Sequence, residues 1–528
     1  MEHKRDIIDV LSPLQAYVPI PTPSTTPTNS TSSTNSRTAS SLNLNQEYPT
    51  AKWSFVLLLS GFSTMVGLAM SCGWGIGVMN APADIIKQFC NDSIYQQYDV
   101  TLSEGGLNFL WSCIVSIFIV GGVTGSLSGA CIANRVGRKG ALVCAYILAL
   151  LAATGFMFSK SFQSVELLLL GRLLLGISGG LTTSVMPMYL TELATIQQRG
   201  AMGVLCPLGL TTGLLISQIL GLDFILGLPT TWHYLISFYA VLLVIGLAAL
   251  PFLPESPKYL FVIRDEPQYA IQELTKLRGV PAHELAEEIE LLKTSKHLAE
   301  QCDSEWTIAT VLKDRSLLLP ILLVCALQGG QQCSGINAVF YYSVSVFKSA
   351  GLNPQQAAYA NIGAGIMNFA ISFIVIPIMS CTGRRTLALF SCITAAICLI
   401  ILSFSITYIT FTPWMPFVCI IALLSYVFFY GFGLGPIPYF IGSELFDVGP
   451  RPAAMALGSM CNWAGNFLVG LFFPLLSSFI GAYSFLIFAG VCVLLFLFLR
   501  VYLPETKGRD VTEIAQICSH GLSRQTKK

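Results

Sequence analysis

Apolar stretches of about 20 residues recur along nearly the whole chain, and no other feature limits the possible folds so strongly. They lie near 53–79, 105–132, 140–158, 165–190, 200–221 and 232–253, then near 316–343, 356–379, 386–408, 413–440, 450–478 and 481–503. In lipid every backbone N–H and C=O needs an internal partner, and windows of this length satisfy them as helices. The expected fold is therefore an all-α membrane protein of twelve transmembrane helices, in two sets of six. Composition agrees: 54% of the 528 residues are hydrophobic and 11% charged, against about 25% charged in soluble domains. The formal charge of +1 offers no basic field to a polyanion, so no nucleic-acid partner is expected.

Basic residues set the orientation. With the N-terminus in the cytoplasm, the outer loops contain only Lys87, Lys160 and Lys348, and Arg172 lies within a span. The other Lys and Arg residues fall in tails, inner loops or inner helix ends, so both termini are expected to be cytoplasmic. Residues 1–52 lack an apolar run and are rich in Ser, Thr, Asn and Pro, which reads as a disordered tail. The tail is either plainly solvated or a site of phosphorylation or anchoring. The remaining divisions are a bundle over 53–253, a cytoplasmic linker over 254–315, a second bundle over 316–503 and a tail over 504–528. Residues 255–315 hold 20 of the 57 charged residues, and Glu284, Glu287, Glu288 and Glu290 alternate with aliphatic residues as in short amphipathic helices. Of the two glycosylation sequons, topology leaves Asn29 inside and puts Asn91 in the longest outer loop. The 16 cysteines sit mostly in apolar runs and the 5 histidines are scattered, so no disulfide framework, metal site or cofactor is expected.

The two sets of six share marks offset by about 250 residues. Gly137-Arg138-Lys139 returns as Gly383-Arg384-Arg385, Glu192 with Arg199 as Glu444 with Arg451, and Pro254-Glu255-Ser256 as Pro504-Glu505-Thr506. Three marks in register imply duplicated, pseudo-symmetric six-helix bundles, an architecture of secondary transporters. The charged marks fall at inner helix ends. They either anchor topology or form an inner gate of ion pairs among Glu192, Arg199, Arg135, Arg138, Glu444, Arg451, Arg384 and Arg385. Glutamates in register favour the gate.

Span seven carries Gln328, Gln331, Gln332 and Asn337. Amides both donate and accept, as sugar hydroxyls require, and four of them in one span call for a wet cavity or for helix–helix bonding. The cavity is the stronger reading. Gly431, Gly433, Gly435, Pro436 and Pro438 cluster in span ten, where Gly costs about 1 and Pro about 3 kcal/mol of helix preference. A discontinuous helix is expected there, either as a moving gate or as a static kink.

The fragments Asn134-Arg-Val-Gly-Arg-Lys139, Gly171-Arg172, Pro254-Glu-Ser-Pro-Lys258, Gln331-Gln332, Gly335-Ile-Asn-Ala-Val-Phe-Tyr-Tyr342, Gly435-Pro-Ile-Pro438, Gly449-Pro-Arg-Pro-Ala-Ala454 and Pro504-Glu-Thr-Lys-Gly-Arg509 occur in order over about residues 53–515. Together they resemble the facilitative hexose transporters, in the sugar porter branch of the major facilitator superfamily. The resemblance implies that Gln331, Gln332, Asn337 and Asn368 hydrogen-bond a monosaccharide, and that Trp463 and Asn466 line the same cavity. Tyr439 stands where glucose-preferring members often carry Trp. Pro207 replaces a sugar-binding Gln of span five, Gly431 replaces a Glu, and Gln328-Gly329-Gly330 replaces the Gln-Leu-Ser of glucose-selective members. Ser380 replaces an acidic residue before the second basic turn, which implies a weaker inner clamp in that half.

Proton-driven members carry an Asp in span one. Here that segment reads Gly73-Trp74-Gly75-Ile76-Gly77, with no titratable group. The expected function is facilitated diffusion of a hexose, glucose or fructose or both, across the plasma membrane by alternating access. The alternatives are a sugar sensor with little transport, or a carrier of a polyol or another small polar solute. No nucleophile–base pair or phosphate-binding loop suggests an enzyme. The expected partners are a monosaccharide and the bilayer, with the oligomeric state open.

Overall fold

A computed structural model describes residues 53–518 apart from 80–81, 223, 301–305, 341–346, 348–352 and 510. The N-terminal tail with Asn29, Lys348 and the end of the C-terminal tail lie outside the described residues. The described residues contain helices and turns and no strand.

Among the described residues, ten helical stretches are long and apolar enough to cross a membrane. One of them, Glu104–Ser159, is 56 residues long and serves as spans two and three. Its backbone breaks at Gly137, where φ is +87°, a value that L side chains rarely adopt. Span seven forms Leu318–Cys333, turns at Ser334–Gly335 and is helical again over 336–340. With these two accounted for, the expected twelve spans are present. The others are Phe55–Gly77, Val165–Leu193, Arg199–Leu220, Trp232–Phe252, Pro354–Cys381, Arg384–Thr407, Met415–Leu445, Arg451–Ile480 and Ser484–Tyr502. Ser54, Ser103 and Ser164 cap spans one, two and four by accepting from backbone N–H groups three residues on.

Each half builds its own apolar core, with a few residues crossing over. Val204 joins the C-terminal core, while Tyr439, Met455 and Trp463 join the N-terminal one. The halves meet most extensively at span eleven against span two and at span eight against span five, with spans ten and eleven also touching span four. Phe55, Phe417, Ile421 and Leu494 stand exposed on the outside, as befits a protein whose solvent is lipid.

Span ten is broken as expected. Met415–Phe432 and Ile437–Leu445 are separate helices joined through Gly433–Pro436. Side chains from neighbouring spans occupy the freed backbone groups. Ser391 Oγ donates to the Phe429 carbonyl at 2.9 Å and accepts from the Leu434 N–H at 3.1 Å. Span five, by contrast, stays one continuous helix through Pro207, with Thr211 Oγ1 donating to the Pro207 carbonyl at 3.1 Å.

The linker folds into the helices Pro267–Arg278 and Ala286–Glu300 around a small core of Tyr259, Leu260, Phe261, Ala270, Leu274, Leu285 and Leu292. Arg278 grips Glu288 through two nitrogens and donates to the Leu193 carbonyl at 2.9 Å, capping the inner end of span four.

Candidate functional site

Two features stand out along the molecular axis: a layer of charges at the inner ends of the helices, and a cavity midway.

The repeated marks meet one another in the charged layer. Glu255 accepts from the backbone N–H of Arg138 at 3.0 Å and of Lys139 at 3.2 Å, capping the start of span three. Glu505 does the same in the other half, accepting from Arg384 N at 2.7 Å and Arg385 N at 3.2 Å. A Cβ on Gly137 would lie 2.3 Å from Glu255 Oε2, so glycine is also needed for this approach. Burial raises the pKa of the Glu255 carboxyl, and the N–H groups on it pull the other way.

The arginine that follows each glycine turns inward. Arg138 donates to Glu192 at 3.1 Å and lies 4.6 Å from the Tyr259 ring centroid, and Arg384 donates to Glu444 at 2.9 Å. Ser256 Oγ and Thr506 Oγ1 complete the pattern by donating to Glu192 and Glu444. Arg451, from the C-terminal half, crosses to Glu192 at 2.9 Å. All five charged side chains are buried. Arg199 is buried nearby, and Gly200 beside it lies close to the Arg384 guanidinium.

Two of the expected gate residues lie outside the pairs. Arg135 is exposed and makes no ion pair among the described residues. Arg385 sends its guanidinium to the Arg500 carbonyl at 2.6 Å rather than to a carboxylate. Ser380 is exposed and turned back on its own helix, and the second half keeps the expected Arg384–Glu444 pair.

The cavity measures about 110 Å³ and lies between the halves. All seven residues singled out as substrate ligands line it: Gln331, Gln332, Asn337, Asn368, Tyr439, Trp463 and Asn466. The amides are already joined. Gln331 Nε2 donates to the Gly435 carbonyl at 2.7 Å, in the break of span ten. Gln332 Nε2 donates to Asn462 Oδ1 at 3.1 Å, and Asn462 Nδ2 donates to Gln331 Oε1 at 2.6 Å. Asn337 uses both amide protons, one on Gln332 at 2.7 Å and one on Asn466 at 2.8 Å. Such a network orders the side chains before any solute arrives.

Asn462 was missed from the sequence although it is the hub of this network. The signal was present: Asn462 and Asn466 are four residues apart and share a face of span eleven. Thr183, Thr211, Ser372 and Tyr430 also line the cavity and were not anticipated. Gln328, grouped with the cavity amides, instead donates to the Pro438 carbonyl at 2.9 Å and does not line the cavity. The opposite wall is mostly apolar, with Cys72 and Ile76 from span one and Val204, Pro207, Leu210 and Leu214 from span five. Among the described residues, no Asp, Glu, His, Lys or Arg lines the cavity.

Arg172 is buried in span four. It donates to the Gly75 carbonyl at 2.7 Å and the Ile114 carbonyl at 3.2 Å, and stacks 4.3 Å from the Phe118 ring centroid. It thus braces span one at the segment that carries Asp in proton-driven carriers. Asn91 lies half-buried on the helix Ala83–Tyr98, and the hydroxyl of its sequon, on Ser93, is buried against the Gln163 carbonyl.

Comparison with known proteins accords with this layout. A family profile described as "Sugar (and other) transporter" matches residues 62–518. The chain is 41% identical over 444 residues to the mouse solute carrier family 2 facilitated glucose transporter member 3, covering 84% of this chain and 89% of that protein. It is 38% identical over 478 residues to the chicken facilitated glucose transporter member 1, covering 90% and 96%. Among solved structures, the proton:xylose symporter XylE bound to 6-bromo-6-deoxy-D-glucose superposes with a TM-score of 0.76 at 22% identity, covering 88% of this chain and 98% of that one. That likeness concerns the fold, whereas the family profile and the relatives at about 40% identity concern descent. By the profile and these relatives the chain belongs to the sugar transporter family, and its fold is that of the major facilitator structure it superposes on.

Proposed function

We propose that this multi-pass membrane protein carries a hexose by facilitated diffusion, and that it is a transporter and not an enzyme. The observation that carries this reading is the cavity itself: a connected set of neutral amides on one wall, an apolar wall opposite, and no ionisable carboxylate between them. Amides exchange hydrogen bonds with sugar hydroxyls in either direction, and the apolar wall suits a ring face. Without an acid beside the solute, a proton gradient has nothing to act on. The relatives named as facilitated glucose transporters support the same mode. We place the protein in the plasma membrane with both termini in the cytoplasm, following the distribution of Lys and Arg.

The test is uptake of labelled glucose and fructose into a transport-null host or into proteoliposomes. A protonophore is expected to leave initial rates unchanged. If rates collapse with the proton gradient, the uniport reading is wrong. Counterflow separates a carrier from a sensor, since a protein that only binds sugar gives none.

Pro207 bears on selectivity. It places a ring with no N–H on the cavity wall from span five. Pro207→Gln adds an amide opposite those of span seven and restores a backbone donor. Glucose affinity is expected to rise about tenfold, the value of one good hydrogen bond to a neutral partner. Paired glucose and fructose half-saturation measurements check this, and equal values for both proteins would remove Pro207 from the account of selectivity.

A further inference from the structure

Between the cavity and the inner ion pairs lies a second contact between the halves, made of hydroxyls. Ser459 of span eleven lies 2.8 Å from Ser126 of span two and 2.8 Å from Thr183 of span four, oxygen to oxygen. All three residues are buried. One turn further along span eleven, Trp463 donates its indole N–H to Thr183 at 3.1 Å. Thr183 and Trp463 line the cavity, whereas Ser459 and Ser126 do not. The Trp463 ring lies against span two so closely that a Cβ on Gly122 would fall 2.4 Å from it.

The proton inventory closes in either direction. Ser126 has the Gly122 carbonyl within reach at 2.8 Å, and Thr183 has the Gly179 carbonyl at 3.0 Å. The three hydroxyl protons therefore run from Ser126 through Ser459 to Thr183, or the reverse, and each chain ends on a helix carbonyl. Position along the helices separates this layer from the charges. Thr183 precedes Glu192 by nine residues and Ser459 follows Arg451 by eight, which puts the layer about 12–14 Å nearer the cavity.

We propose that Ser126, Thr183 and Ser459 form an inner gate distinct from the ion pairs, coupled to the cavity through the Trp463–Thr183 hydrogen bond. The proposal rests on the carrier reading above for its role in transport, but its geometry does not depend on which solute is carried. Every bond Ser459 makes to the gate joins opposite halves, so opening the inner side breaks both bonds and wets the hydroxyls. A solute that draws on Trp463 or Thr183 weakens the same chain from above. Ser459 is thus a positioning residue that sets how often the inner side opens, and it does not touch the solute.

The experiment compares wild type, Ser459→Ala, Ser126→Ala, the double variant and Ser459→Thr, each as the full chain in lipid nanodiscs and in proteoliposomes. Hydrogen–deuterium exchange without sugar is expected to rise about tenfold in S459A over residues 183–193 and 451–462, and to stay at the wild-type level over the outer half of span four. S126A is expected to show a smaller rise. The double variant is expected to match S459A, because both remove one shared bond, and S459T is expected to return toward wild type. In transport, the half-saturation for entry rises in proportion to the lost outward-facing fraction, while that for exit does not. The proposal is overturned if S459A exchanges like wild type, if exchange rises equally throughout the chain, or if the two serine effects add. If no variant carries a hexose but the exchange pattern holds, the gate stands and the hexose reading falls.

Discussion

Glu192→Gln is expected to lower initial sugar entry about a hundredfold. The Glu192 carboxylate accepts from Arg138, Arg451 and Ser256 together, and both arginines are buried. A glutamine keeps the shape but turns an NH₂ group toward two guanidinium groups, leaving buried positive charge without its partner. Breaking a buried pair in this way costs about 3–5 kcal/mol, or about two to four powers of ten in an equilibrium. That cost falls on the inner-closed arrangement, because opening the inner side gives the arginines water. The variant should therefore accumulate with its inner side open. Arg451→Gln should shift the same equilibrium in the same direction. Initial entry rates, with surface expression as the control, check the prediction. Entry within twofold of wild type would mean that the ion pairs only anchor the helices.

Asn462→Ala is expected to weaken sugar affinity about 10- to 100-fold with little change in thermal stability. The Asn462 side chain joins Gln331 to Gln332, donating at 2.6 Å and accepting at 3.1 Å. Its removal frees both glutamines to rotate, and each unmet group costs about 1–3 kcal/mol unless water replaces the partner. The cavity admits water, so the fold tolerates the loss, while the order of the ligands is not recovered. Asn337→Ala should act alike, since it severs the link between Gln332 and Asn466. Equilibrium exchange, which reads affinity without net flux, is the measurement. Unchanged half-saturation in both variants would dissociate the amides from the solute.

The periodic apolar windows sufficed for the twelve spans, because hydrocarbon thickness leaves few choices of helix length. The broken span ten was equally legible, since Gly and Pro act on the helix that contains them. The amides show where such reasoning stops. Gln328 and Gln332 share a face of span seven, yet only Gln332 reaches the cavity, because the Pro438 carbonyl of the broken span takes Gln328. That acceptor belongs to another helix and has no trace in the local sequence. Asn462 was legible only by pairing it with Asn466 one turn on, and its weight lies in the partners it joins on span seven. Arg385 follows Arg384 directly and so points about 100° away from it, while the non-helical Gly137 separates Arg135 from Arg138, and one arginine in each pair reaches the carboxylate.

The glutamates after spans six and twelve have a mechanical consequence. Glu255 ties the end of the sixth helix to the start of the third, and its neighbour Ser256 ties it to Glu192 at the end of the fourth. Glu505 and Thr506 lash the opposite half in the same way. Each half is thus a sheaf bound at its charged end by the segment that follows its own last helix. Helices in such a sheaf cannot splay one at a time, so displacement is channelled into the joint between the two sheaves and into the pliant elbow of span ten.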